Sequence, residues 1–99
     1  MQFLVMAKDG TDDGALERRQ QTRPAHLEGI GPLVDAGNVL VGGAILSSAG
    51  DMVGSKLLVD FPGKQDVDAW LARDPYVTAG VWKEIEVHPF RTAVGAWQP

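Results

Sequence analysis

His26 and Asp74 are the ionisable residues whose placement asks for chemistry. His26 sits in Arg23-Pro24-Ala25-His26-Leu27 and Asp74 in Asp74-Pro75-Tyr76, and each falls on the apolar stripe of an expected helix. An ionisable group on a core-facing stripe is costly unless it is paired or used. The two types answer each other as base and orienting carboxylate. A carboxylate against one ring nitrogen fixes the tautomer and leaves the other nitrogen to exchange a proton. Plainer readings stand beside this one. His26 could be a partly buried histidine satisfied by one hydrogen bond, and Asp74 could bond nearby backbone amides at a helix end. Arg23 is a candidate anchor for an anionic substrate or a surface ion-pair partner. Tyr76 either donates a hydrogen bond into the site or packs on Trp82. Gly42-Gly43 either lets a ligand approach the backbone or marks a bend, which makes Gly43 a candidate substrate-binding position.

The elements that must carry these residues follow from pattern and punctuation. Gln2 to Lys8 reads as a strand apolar on both faces, stopped by Asp9-Gly10. Asp12 and Asp13 could cap the helix that follows, from about Ala15 to Ala36, ended by Gly37-Asn38. Pro24 predicts two helical pieces or a kink. Leu27, Ile30, Leu33 and Val34 form one apolar stripe, and His26, four before Ile30 and seven before Leu33, points with it. Asn38 to Leu46 and Met52 to Phe61 read as strands joined by the short loop Ser47 to Asp51. A second helix runs from about Gln65 to Arg73 on the stripe Val67, Trp70 and Leu71, with Asp74 where Pro75 makes the helix give way. Gly80 leads into a last strand, Val81 to His88, closed by Pro89-Phe90.

The resulting β-α-β-β-α-β order predicts an α+β, ferredoxin-like fold, an antiparallel sheet with both helices on one face. The expected organisation is a single domain over 1–99, with a core of about 1–90 and a tail 91–99. Strands apolar on both faces leave one sheet face to cover, and a homodimer is the simplest answer. The tail, with Trp97, is placed to extend that contact or to lie over a pocket.

Composition excludes several classes. With a formal charge of −4 the chain lacks the basic face that nucleic acid requires. Arg18, Arg19 and Arg23 are interleaved with Asp12, Asp13, Glu17 and Glu28, which reads as a mixed, solvated surface. No apolar run suits a membrane span, the first residues do not form a signal peptide, and the chain has no cysteine, so a cytoplasmic protein is expected. His26 and His88 lack metal-ligand spacing, so no metal site is expected, and His88 reads as structural. Ser47-Ser48 lacks a nucleophile elbow, and Gly42-Gly43 lies in a strand rather than a phosphate loop.

Several segments together resemble the YciI-like (YCII-related) family: Ala7 to Asp9, Arg23-Pro24-Ala25-His26-Leu27, Asp74-Pro75-Tyr76-Val77, Ala79-Gly80-Val81 and Pro89-Phe90. The similarity runs from Met1 to about Phe90. It implies a dimeric α+β barrel with a pocket near the dimer interface and a His-Asp pair that maps onto His26 and Asp74. One branch of the family eliminates hydrogen chloride from a chlorinated hydroxyhydroquinone with that pair as acid/base. Where the family usually has Ala-Gly-Pro after the second strand, this chain has Gly42-Gly43-Ala44. The expected function is therefore a cofactor-independent acid/base enzyme, a lyase or isomerase, acting on a small molecule. The alternative is a non-catalytic domain that binds a small ligand in the same pocket.

Overall fold

The computed structural model describes residues 1–96, so Trp97 lies outside the described residues. Within them the elements are β1 (Gln2–Asp9), α1 (Ala15–Asp35), β2 (Val39–Leu46), β3 (Met52–Asp60), α2 (Lys64–Arg73), α3 (Pro75–Thr78) and β4 (Trp82–Phe90). The strands form an antiparallel sheet in the order β2-β3-β1-β4, the ferredoxin-like arrangement. β4 extends through Pro89, which the sequence reading placed after the strand. A proline is tolerated there because β4 is an edge strand and need not donate on its outer side.

Register decides which side chains face the helices. Phe3, Val5 and Ala7 of β1 pair with Val59, Leu57 and Ser55 of β3, and all six are buried. The apolar members pack with Val67, Trp70 and Leu71 of α2 and with Tyr76, Val81 and Trp82 to form the core. Asp9 continues the inward alternation of β1 and is itself buried. At Gly54 an added Cβ would lie 2.6 Å from the carbonyl oxygen of Ala7, a backbone atom that cannot yield, so only glycine fits.

Of the two pieces or the kink expected from Pro24, two pieces are not found: α1 runs unbroken through it. A proline inside a helix costs about 3 kcal/mol, which tertiary anchors must offset. Here Arg19 and His26, buried on either side of Pro24, are each fixed to another element by charged hydrogen bonds. Asp12 and Asp13 do not cap α1, whose N-cap is Gly14 without a side-chain bond. Asp12 instead binds Arg18 at 2.7 Å, and that bond holds its carboxyl below the usual range. The helix ends in a Schellman turn, with Asn38 N–H donating to Leu33 O and Gly37 N–H to Val34 O. Gly37 takes the left-handed φ of 81° that this turn demands.

The burial of α1 departs from the amphipathic expectation. Leu27 and Val34 are 45% and 49% exposed, and the helix's buried residues are Ala15, Arg19 and His26. The stripe is not pressed onto the sheet along its length. Ile30 and Leu33 pack against the core, while Leu27, Ile30 and Val34 border a cavity.

Candidate active site

Asp74 is positioned by the end of one helix and the start of another. Its backbone is extended (φ −68°, ψ 132°), as Pro75 requires, and Pro75 opens α3 at a first-turn position. Asp74 Oδ1 accepts the Tyr76 backbone N–H at 2.9 Å, an N-cap bond that aims the carboxylate. The same oxygen lies 2.8 Å from His26 Nδ1. Because a carboxylate only accepts, this bond is Nδ1–H donating to Oδ1, and whenever the ring is neutral Nε2 is the acceptor nitrogen. Both residues are buried, at 7% and 4% exposure. Both plain readings of the sequence are thus present at once: the capping bond of Asp74 and its bond to His26 share one oxygen.

Aromatic rings hold the imidazole in place. His26 stacks on Tyr76 with centroids 3.9 Å apart and planes inclined by 10°, and Trp82 meets it edge-on at 5.6 Å. Tyr76 and Trp82 are themselves edge-to-face at 5.3 Å. Burial raises the Tyr76 hydroxyl above its usual range, although Arg19 and Arg23 pull it back in part. The hydroxyl therefore stays protonated in neutral solution.

A polar network that the sequence reading missed lies beside the stack. The sequence places Arg19 in a solvated charge cluster, but it is 3% exposed. Its Nη1 donates to both oxygens of Asp9, at 2.9 and 3.0 Å, and its Nη2 donates to Ser55 Oγ at 2.8 Å. Trp82 Nε1 donates to the same Ser55 oxygen at 3.2 Å. The guanidinium carbon stands 4.8 Å over the Tyr76 ring. With His26 covering one face of that ring, the guanidinium occupies the other. Arg19 lies seven residues before His26, so a continuous helix puts both on one stripe. That spacing was the available signal.

These groups border a cavity of about 380 Å³ between α1 and the β2–β3 half of the sheet, a size suited to a small molecule. His26, Tyr76, Arg19, Arg23 and Ser55 supply its polar lining, and Leu27, Ile30, Val34 and Leu57 supply apolar walls. Arg23 is exposed and borders the cavity. Gly43 also borders it, yet pairs with Lys56 on the sheet face away from the helices, where an added Cβ would meet nothing within 4 Å. The close approach is at Gly42, where a Cβ would come within 3.1 Å of the Leu57 side chain. Among the described residues no group of three or more His, Cys, Asp and Glu side chains is arranged to hold a metal ion. No helix among them is long and apolar enough to cross a membrane.

A family model described as the YCII-related domain matches residues 1–91. The chain belongs to the YCII-related family. Protein YciI of Escherichia coli is 34% identical over 97 residues, which covers 92% of this chain and 97% of that one. The Emericella nidulans protein named derivative of benzaldehyde biosynthesis cluster protein C is 38% identical over 85 residues, 79% of this chain and 85% of its own. Among solved structures, a 5-chloro-2-hydroxyhydroquinone dehydrochlorinase from Burkholderia phenoliruptrix, in complex with 2,5-dihydroxybenzoquinone, superposes with a TM-score of 0.84. It is 28% identical, and the match covers 94% of this chain and 96% of that chain. Membership and this match agree with the α+β, ferredoxin-like architecture.

Proposed function

We propose that this member of the YCII-related family is a cofactor-independent acid/base enzyme, of lyase or isomerase type, acting on a small ring compound. One observation carries the reading: Asp74 binds His26 Nδ1 at 2.8 Å, while the imidazole borders a mainly apolar cavity of ring-molecule size. In this reading His26 Nε2 is the catalytic base, and Asp74 is a positioning residue that fixes the tautomer and steadies the imidazolium formed. The Tyr76 hydroxyl, kept protonated by burial, is placed to donate to oxygen on the ring as negative charge develops. Arg23 lies on the same cavity and adds positive charge.

The similarity to a 5-chloro-2-hydroxyhydroquinone dehydrochlorinase supports elimination as the reaction type. Such a step removes a proton from the substrate to His26, expels chloride with its bonding electron pair, and leaves a hydroxyquinone, so one HCl is lost in all. The test is chloride release from 5-chloro-2-hydroxyhydroquinone and related halogenated hydroquinones by the purified wild-type protein. Turnover is expected with at least one of them. Tight binding with no turnover across the series would move the reading to a small-ligand binding domain.

A homodimer is part of the same proposal. Leu4 and Met6 of β1 are half-buried on the sheet face away from the helices, and Leu58 lies across from Leu4 on that face. Val41 of β2 pairs with Leu58 and is half exposed. A second copy is the occupant we assign to this face. Light scattering in dilute solution is expected to give twice the mass of one chain, and a monomer at micromolar concentration would count against the assignment.

A further inference from the structure

The hydrogen-bond inventory of Ser55 leaves it a single free capacity. A hydroxyl has two acceptor lone pairs and one proton to donate. Ser55 Oγ accepts from Arg19 Nη2 at 2.8 Å and from Trp82 Nε1 at 3.2 Å, so both lone pairs are engaged. Neither donor can accept in return, because guanidinium and indole N–H groups have no lone pair to offer. Among the described residues Ser55 Oγ makes no hydrogen bond as a donor. The side chain is buried, on the helix-facing side of β3, and it borders the cavity. Its proton therefore has the cavity as its remaining direction.

The charges around the cavity agree in sign. Its lining includes Arg19 and Arg23 but no aspartate or glutamate. The charge of Arg19 is answered from behind by Asp9. Arg23 makes no salt bridge among the described residues, so its charge is left for whatever enters. We infer that Ser55 is a substrate-binding donor and that, with Arg23, it makes the cavity select a planar ring carrying negative charge and an oxygen acceptor. This inference rests on the proposed acid/base site and names the substrate class for it. It also gives the Asp9–Arg19 pair a function, since Arg19 turns Ser55 so that it can only donate inward.

The probes are 2,5-dihydroxybenzoate and its amide, 2,5-dihydroxybenzamide, which share a ring and differ in charge, with binding read by calorimetry at low salt. The wild type is expected to bind the carboxylate at least about tenfold more tightly, the scale of a charged hydrogen bond. Arg23→Gln should remove most of that preference. Ser55→Ala should weaken carboxylate binding about tenfold. If Ser55→Ala does not fold, Ser55→Cys, which keeps nearly the same volume with a much weaker donor, is read in its place. Equal binding of the two probes by the wild type, an unchanged preference in Arg23→Gln, or wild-type affinity in the folded Ser55 variant would each overturn the inference. Absence of chloride release alongside an intact preference would refute the catalytic reading alone.

Discussion

His26→Gln is expected to lower kcat/KM for the proposed elimination by about 10²- to 10⁴-fold, the usual contribution of a positioned general base. Glutamine retains polar atoms of similar reach but cannot take up a proton at neutral pH. The lost interaction exists only as the proton moves, so kcat and kcat/KM should fall together while KM changes little. The variant also loses the stacking on Tyr76 and one partner of Asp74, so circular dichroism must show that the fold is retained. The carboxylate would still hold its bond from the Tyr76 backbone N–H, which limits that structural loss. A folded His26→Gln protein with near wild-type turnover would remove His26 from the chemistry.

The largest stability effect is expected at Asp9, outside the catalytic pair. Asp9→Asn keeps the side-chain shape but leaves the Arg19 charge uncompensated in the interior. Arg19 and Asp9 side chains are 4% and 3% exposed, and breaking a buried pair from one side costs about 3–5 kcal/mol. That is a large share of the about 5–15 kcal/mol by which a domain of this kind is stable. Among the described residues Arg19 Nε already lacks a hydrogen-bond partner, which adds to the cost of leaving the guanidinium unpaired. Urea unfolding should show a pronounced fall in the midpoint. Asp12→Asn is the matched control, since its bond to Arg18 is as short but lies at the surface. Solvent and salt weaken such exposed pairs, and the midpoint should hardly move. Equal effects from the two substitutions would mean that burial does not set the importance of the Asp9–Arg19 pair.

The element order and the place of Asp74 were legible because they depend on local chemistry: alternation, glycine stops and the backbone restriction before Pro75. The continuity of α1 was not legible, since what overrides Pro24 is tertiary. Arg19 and His26 are fastened to other elements on both sides of the proline. Arg19 was misread because its charged neighbours in sequence suggested a solvated face, whereas its partner Asp9 extends the inward alternation of Phe3, Val5 and Ala7. Ser55 could be found the same way, two residues before Leu57 on the inward face of β3. The stripe through Leu27 and Val34 shows the limit of periodicity. A helix that roofs a cavity carries the same apolar spacing as one pressed onto a core, and only the structure tells the two apart. The four-residue helix α3 was missed because so short a segment shows no period.

The central claim is that Asp74 fixes the His26 tautomer so that Nε2 is the basic nitrogen facing the cavity. The most direct measurement is the pair of ¹⁵N shifts of the His26 ring at neutral pH, in wild type and in Asp74→Ala. The wild type should show a protonated Nδ1 and an unprotonated Nε2. In Asp74→Ala the acceptor beside Nδ1 is gone, and the ring should change to the Nε2–H form that a free imidazole favours. An Nε2–H ring in the wild type, or the same tautomer in both proteins, would contradict the account.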